Sequence, residues 1–215
     1  MTERVFIVKK KGIIVSFEGI DGCGKSTQAR LFCKYLDKKG LDHLLLNEPG
    51  GTYTGEKIRN LLLDSKSKIS PLTELFLYLA SRSQLVEELI IPHLEKGKII
   101  VLDRYIDSTI AYQGYGRGIS LKLIRYIHDF IVRDSFPDIT FLIDAPASAL
   151  LPVLKNKKRD RIEKESLKFQ KRVRNGYLNI AKREKKRIKI IKRKSVLLTH
   201  KDVIKEWERF INEYK

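Results

Sequence analysis

Apolar and polar positions alternate between two kinds of segment along this chain. Ile13 to Phe17 is a short run rich in β-branched residues, followed by a cluster of glycines and then by apolar positions at helical spacing that end before Gly40. Leu44 to Leu46, Lys98 to Leu102, Ile139 to Ile143 and Arg187 to Ile191 read as further buried strands, with helical stretches between them. Ser70 followed by Pro71 predicts a helix start, and Leu75, Phe76, Leu79, Val86 and Leu89 continue its apolar stripe. Phe169, Val173, Tyr177 and Ala181 place one apolar stripe on an otherwise charged helix. Thr199, with Asp202 three residues later, predicts the start of a last helix carrying Val203, Trp207 and Phe210. Strands alternating with helices imply an α/β fold in three layers, with a five-stranded parallel sheet and right-handed crossovers. A length of 215 residues fits one compact domain spanning 1–215.

The glycine cluster carries the first chemistry. Gly19-Ile20-Asp21-Gly22-Cys23-Gly24-Lys25-Ser26 satisfies G-x-x-x-x-G-K-[ST] and lies between a strand and a helix, as a phosphate-binding P-loop requires. Glycines let successive backbone N–H groups point at phosphate oxygens, and the helix that follows adds its positive end. The expected loop is 19–27, ending at Thr27; Lys25 reaches the β- and γ-phosphates of a nucleoside triphosphate, and the Ser26 hydroxyl ligates Mg²⁺. The fold is therefore expected to be that of the P-loop NTPases. A P-loop fixes a nucleoside triphosphate site and leaves the reaction open.

Further segments lie in the region 48–113. Tyr78 and Arg82 are four apart and share a helix face, where a ring can stack on a pyrimidine while a guanidinium bonds its carbonyl edge. Taken alone, a core tyrosine and a solvated arginine would fit as well. Asp103 and Arg104 follow the strand Ile99 to Leu102, so both emerge at the carboxyl end of the sheet, where open α/β folds bind ligands. A carboxylate there suits Mg²⁺ and an arginine suits phosphate.

Together with Glu48-Pro49-Gly50-Gly51-Thr52, Gly55 to Arg59, Tyr78 to Arg82, and Asp103-Arg104-Tyr105 continuing to Ala111-Tyr112-Gln113-Gly114, the chain resembles the thymidylate kinases over nearly its whole length. That resemblance implies transfer of the γ-phosphoryl of ATP to dTMP, giving dTDP. It places Arg104 on the dTMP phosphate and Asp103 beside Mg²⁺. Asp21 stands between donor and acceptor, and Glu48 and Arg59 line the acceptor site. Thr109 and Gln113 contact the base; Ser108 and Tyr112 lie on the deoxyribose side, where a bulky ring excludes a 2′-hydroxyl. One class of the family carries an arginine in the P-loop and the other draws it from a lid. Gly22 occupies the P-loop position here, so the charge is expected from a short lid at about 150–163, which ends in Asp160-Arg161-Ile162-Glu163. Arg159 or Arg161 is the expected lid arginine, with Lys158 as a substitute. The chain departs from the family at Asn47, where many members have arginine, and at Tyr78, where phenylalanine is usual. The resemblance also implies a homodimer.

The formal net charge of +18 raises nucleic acid as a partner, but its distribution argues otherwise. From Lys155 to Lys194 there are 19 lysines and arginines against 4 acidic residues, so nearly the whole surplus lies in one stretch. No stacking ladder, zinc pattern or helix-turn-helix signature accompanies it, and a solvated basic face accounts for it. No run is long and apolar enough for a membrane span, and Cys23 and Cys33 alone suggest reduced thiols, so a cytoplasmic protein is expected. Two rival readings remain: a monophosphate kinase with shifted or broader pyrimidine preference, and a nucleic-acid-stimulated P-loop ATPase. The second lacks its acidic pair, because Ile99 to Leu102 runs into Asp103-Arg104-Tyr105. Met1 to Lys11 precede the first strand with no assigned function.

Overall fold

A computed structural model describes residues 12–148 and 160–214 of the chain. Its sheet is β1 (Ile13–Glu18), β2 (His43–Asn47), β3 (Ile99–Asp103), β4 (Ile139–Asp144) and β5 (Ile188–Lys192), in the spatial order β2-β3-β1-β4-β5. Every pairing is parallel. The helices are α1 (Lys25–Lys38), α2 (Tyr53–Leu63), α3 (Pro71–Leu85), α4 (Ile91–Glu95), α5 (Ile106–Thr109), α6 (Leu121–Val132), α7 (Leu167–Arg183) and α8 (Val196–Tyr214). Two π-helical turns, Val86–Ile90 and Ile110–Gly116, extend α3 and α5.

Alternation along the strands feeds two apolar layers. Val15 and Phe17 of β1, with Ile99 and Val101 of β3, face a layer that contains Phe32, Phe141 and Trp207. Ile14, Ile100 and Leu102 face the opposite layer with Leu85, Val86, Ile90 and Tyr105. The first layer is knit by rings: Phe17 lies 5.3 Å from Phe141 and Phe32 lies 5.1 Å from Trp207, each tilted or edge-on. Both faces of the central strands are covered, which is why β1 and β3 read as unbroken apolar runs.

The two edge strands differ from the expectation of full burial. Leu45 is 39% exposed and Ile190 46%, because β2 and β5 each have one strand neighbour and part of one face open to water. The helix start at Ser70 is as expected: its hydroxyl accepts from Thr73 N, and Pro71 opens the first turn. The last helix starts earlier than expected, at Val196. Leu198 N donates to Ser195 Oγ at 3.4 Å, while Thr199 Oγ1 accepts from Lys194 N at 2.9 Å and Asp202 pairs with Lys194 Nζ. The serine caps the helix, and the threonine anchors the strand exit instead. Among the described residues no helix is long and apolar enough to cross a membrane.

α7 lies against the π-helical turn Ile110–Gly116, the segment that carries the expected acceptor residues. The approach is close enough to require glycine: a Cβ at Gly176 would stand 2.8 Å from the Tyr115 ring. Alanine is the better helix former, yet Gly176→Ala should destabilise the protein by about 1–3 kcal/mol through overpacking. Urea unfolding of the two proteins measures it, and an equal or raised midpoint contradicts this packing.

Candidate active site

β1 delivers the chain into a loop that only glycines can follow. Gly19, Gly22 and Gly24 have φ values of 140°, 80° and 99°, and a Cβ at Gly19 would meet the Ile143 carbonyl oxygen at 2.6 Å. α1 then begins at Lys25 without a side-chain cap, whereas Thr52, Ser70, Ser120 and Ser166 cap α2, α3, α6 and α7. Its first-turn N–H groups are left for an anion. Asp21, Gly22, Gly24, Lys25, Ser26 and Thr27 line one end of a cavity of about 420 Å³. Gly19, Ile20 and Cys23, also expected there, are not part of this lining; Ile20 and Cys23 are buried in the core and Gly19 packs on β4.

The same cavity contains Glu48, Arg59, Tyr78, Arg82, Asp103, Arg104, Ser108, Thr109, Tyr112 and Gln113. Arg104 marks the junction between its two ends. The backbone N–H of Arg104 donates to Phe17 O at 3.0 Å, one step beyond the β1–β3 ladder, and its φ of 73° then turns the side chain toward the P-loop. Nη2 donates to Asp21 Oδ1 at 2.5 Å and to the Tyr112 hydroxyl at 3.2 Å, and Nη1 donates to Gly19 O, Ser108 Oγ and Tyr177 OH at 3.1 to 3.2 Å. Tyr112 OH donates to the other oxygen of Asp21 at 2.8 Å. Burial opposes the ionised Asp21 carboxylate, but Arg104 and Lys25 outweigh it and hold the pKa at about 2.

Behind Arg104 stands Glu18, the fully buried last residue of β1. Its Oε1 accepts from Tyr105 N at 2.7 Å; its Oε2 accepts from Ser108 Oγ at 2.6 Å and Tyr177 OH at 2.9 Å. Both hydroxyls spend their hydrogens on the carboxylate and so turn lone pairs toward Arg104.

At the far end, Tyr78 lines the cavity and Arg82 is buried to 1% exposure. The guanidinium donates Nε and Nη2 to the two oxygens of Glu48 at 2.7 and 2.6 Å, and Nη2 also to Tyr105 O at 3.2 Å. Gln113 Nε2 donates to Glu74 Oε1 at 2.9 Å. A carboxylate only accepts, so the amide's Oε1 is the end left for the cavity. Thr109 Oγ1 is buried without a partner among the described residues, and it shares the lining with Gln113. Arg59 donates to Pro49 O at 2.6 Å, and Asn47, the departure noted in the sequence, also lines the cavity.

Asp103 Oδ1 is likewise buried with no partner among the described residues. Its carboxylate and the Ser26 hydroxyl are hard oxygen donors that line the same cavity, a donor set that fits Mg²⁺. Among the described residues no group of three or more His, Cys, Asp or Glu could hold a metal ion alone. Such a cation would therefore share its coordination with phosphate oxygens and water.

Arg161, one of the two expected lid arginines, is absent from the lining: Nη1 is paired with Glu74 Oε2 at 2.6 Å and Nε donates to Leu62 O at 2.9 Å, while Nη2 is buried with no hydrogen-bond partner among the described residues. Its neighbours Asp160, Ile162 and Glu163 line the cavity instead. Arg159 and Lys158 lie outside the described residues, as does most of the expected lid. Sequence reasoning missed Glu18, Glu74 and the hydroxyl of Tyr177. Glu18 had a signal, a carboxylate closing an apolar strand directly before the P-loop. Tyr177 had none, because its ring fills its place in the apolar stripe.

Comparison with known proteins follows the same lines. The thymidylate kinase family model matches residues 17–203. The chain is 45% identical to a thymidylate kinase of Caldanaerobacter subterraneus over 95% of this chain and 99% of that one. It is 47% identical to a thymidylate kinase of Kosmotoga olearia, covering 91% and 95%. A crystal structure of thymidylate kinase from Ehrlichia chaffeensis superposes with a TM-score of 0.78 at 36% identity, covering 92% of this chain and 98% of that one.

Burial, with Asp107 nearby, pushes the Glu18 carboxyl up to about 7 despite its hydrogen bonds. The folded protein thus holds this proton more tightly than the unfolded chain, whose carboxyl keeps its ordinary value near 4.5. Unfolding releases it, so stability falls as pH rises between those values. Urea midpoints of the unsubstituted protein, taken relative to Glu18→Gln, should decline from pH 5 to pH 8; a flat or rising difference contradicts the assignment.

Proposed function

The chain belongs to the thymidylate kinase family, and on that premise we propose the following cycle for its reaction, the transfer of the γ-phosphoryl of ATP to dTMP to give dTDP. The carrying observation is that Lys25 and Arg104 line one continuous cavity, with the uncapped start of α1 at one end and Tyr78 and Arg82 at the other. ATP lies with its phosphates on the P-loop, where main-chain N–H groups and Lys25 take up their charge. Ser26 and Asp103, together with the phosphates, would hold Mg²⁺, which would supply further charge neutralisation.

dTMP enters the opposite end with its base against Tyr78 and its phosphate toward Arg104. Arg82 offers a donor and Gln113 an acceptor, a pairing that matches a pyrimidine with a 4-carbonyl and an N3 hydrogen. Thr109 supplies an unspent hydroxyl beside them. Asp21 and Tyr112 hold Arg104 at the border between the two nucleotides, and Ser108 steadies it from behind. Glu48 acts through Arg82, and Arg59 lines the acceptor entrance. The protein contributes no covalent step: it aligns donor and acceptor oxygens, keeps water out and balances negative charge. By the family resemblance, Arg159 or Arg161 is the source of the remaining cation. The rival ATPase reading is not favoured, since the relatives that the chain matches over most of its length are thymidylate kinases.

The whole chain acts as one kinase domain in the cytoplasm. A homodimer forms through the exposed apolar stripes of α3 (Leu72, Phe76) and α6 (Leu123, Tyr126, Phe130), side chains that a monomer would leave in water. The basic residues of α7 form a solvated face.

An assay of ATP consumption with dTMP, dUMP, dCMP, dGMP and AMP as acceptors is expected to rank dTMP first, and any other preferred acceptor overturns the substrate assignment. Lys25→Ala and Arg104→Ala should each lower kcat by about a hundredfold or more while leaving a folded protein; near-normal rates in either contradict the assigned roles. Tyr78→Ala should act mainly on dTMP, raising its KM by roughly tenfold through lost stacking.

A further inference from the structure

Along α6 the buried positions are Ile124, His128 and Val132, each four residues after the last, so His128 occupies the middle of an inward-facing stripe. An aliphatic residue would fill that place without polar atoms. The imidazole instead meets Arg82: His128 Nε2 stands 2.6 Å from Arg82 Nη1. A guanidinium has donors only, so Nε2 must carry a lone pair, and the ring is neutral with its proton on Nδ1. Burial and the Arg82 charge both push the imidazole pKa well below its ordinary value, in agreement with a neutral ring.

The consequence lies in how the five N–H groups of Arg82 are divided. Glu48 and Tyr105 O take the Nε and Nη2 hydrogens, and His128 takes one hydrogen of Nη1. The second Nη1 hydrogen has no partner among the described residues, and Arg82 lines the cavity. The hydrogen available to a substrate therefore shares its nitrogen with the one that His128 holds. Glu48 grips the opposite edge of the guanidinium; His128 supplies the point that stops the plane from rocking about that grip.

We propose that His128 is a positioning residue for acceptor recognition, its Nε2 lone pair aiming the free Nη1 hydrogen of Arg82 at the carbonyl edge of the nucleotide base. The inference rests on the dTMP reading of the same pocket. It predicts that the acceptor at position 128 matters, while the aromatic ring does not. Glutamine can carry an oxygen to the place of Nε2; asparagine keeps the polarity but falls short; leucine keeps the bulk and has no acceptor.

The test is steady-state kinetics with ATP and dTMP on the full chain and on His128→Gln, His128→Asn and His128→Leu, with melting temperatures measured alongside. The unsubstituted protein must first phosphorylate dTMP; if it does not, the functional reading fails before this one is reached. Given that activity, His128→Leu and His128→Asn are expected to raise the KM for dTMP by about tenfold, the effect of one misplaced buried donor. Their kcat and KM for ATP stay within about twofold, and His128→Gln returns the dTMP KM to near its original value. If leucine prevents folding, the asparagine and glutamine pair carries the comparison. An unchanged dTMP KM in the asparagine variant, a glutamine variant no better than asparagine, or a parallel loss in kcat and both KM values would each overturn the proposal.

Discussion

The ion pair between Arg104 and Asp21 joins the two halves of this protein's cavity, and much of the local structure exists to make it. Arg104 follows β3, Asp21 follows β1, and the two strands are neighbours with Phe17 opposite Asp103. Adjacent parallel strands end at the same level, so the P-loop and the acceptor arginine emerge side by side without any long excursion of chain. The left-handed backbone at Arg104 gives the last turn that brings the guanidinium over the loop. A charge held this way faces both the P-loop and the far part of the lining.

Around that junction, buried charges are arranged as partnered sets. Glu18 sits under Ser108 and Tyr177, Glu48 under Arg82, and Glu74 under Gln113, Arg117 and Arg161. Desolvation makes such pairs poor sources of net stability, so their value lies elsewhere. Each acidic group spends hydrogens that would otherwise face the cavity, and thereby decides whether the group in front presents a donor or an acceptor. Arg82 is left with a hydrogen and Gln113 with an oxygen. A pyrimidine carrying a carbonyl beside an N–H meets both; one with an amino group beside a bare nitrogen meets neither.

Much of the fold was legible in the sequence because its signals are local and redundant. The central strands β1 and β3 are apolar on both faces, the P-loop needs its glycines in one place, and Ser70 with Pro71 fixes a helix start. The edge strands were read as more buried than they are, since an apolar run does not reveal how many neighbours it has. The start of the last helix slipped because Ser195 and Thr199 are both capping residues, and only the strand exit at Lys194 decides between them. In the site, the residues that touch the cavity were mostly legible, carried by motifs. The groups behind them were not. His128 and Tyr177 sit on apolar stripes where their spacing says only that they face inward, and Glu74 looks like an ordinary first-turn acid. Arg161 was legible only as a basic residue beside a phosphate site, because sequence does not show that the buried Glu74 carboxylate pairs with it.

The claim that most of this account depends on is the facing of two nucleotide sites within one cavity. It can be tested by calorimetric titration with a single molecule in which adenosine and thymidine are joined through a polyphosphate chain. The account predicts binding at least about a hundredfold tighter than that of ATP or dTMP alone, because the second half binds at high effective concentration once the first is seated. Affinity no greater than that of the better single nucleotide would mean that the sites do not face each other, and would contradict it.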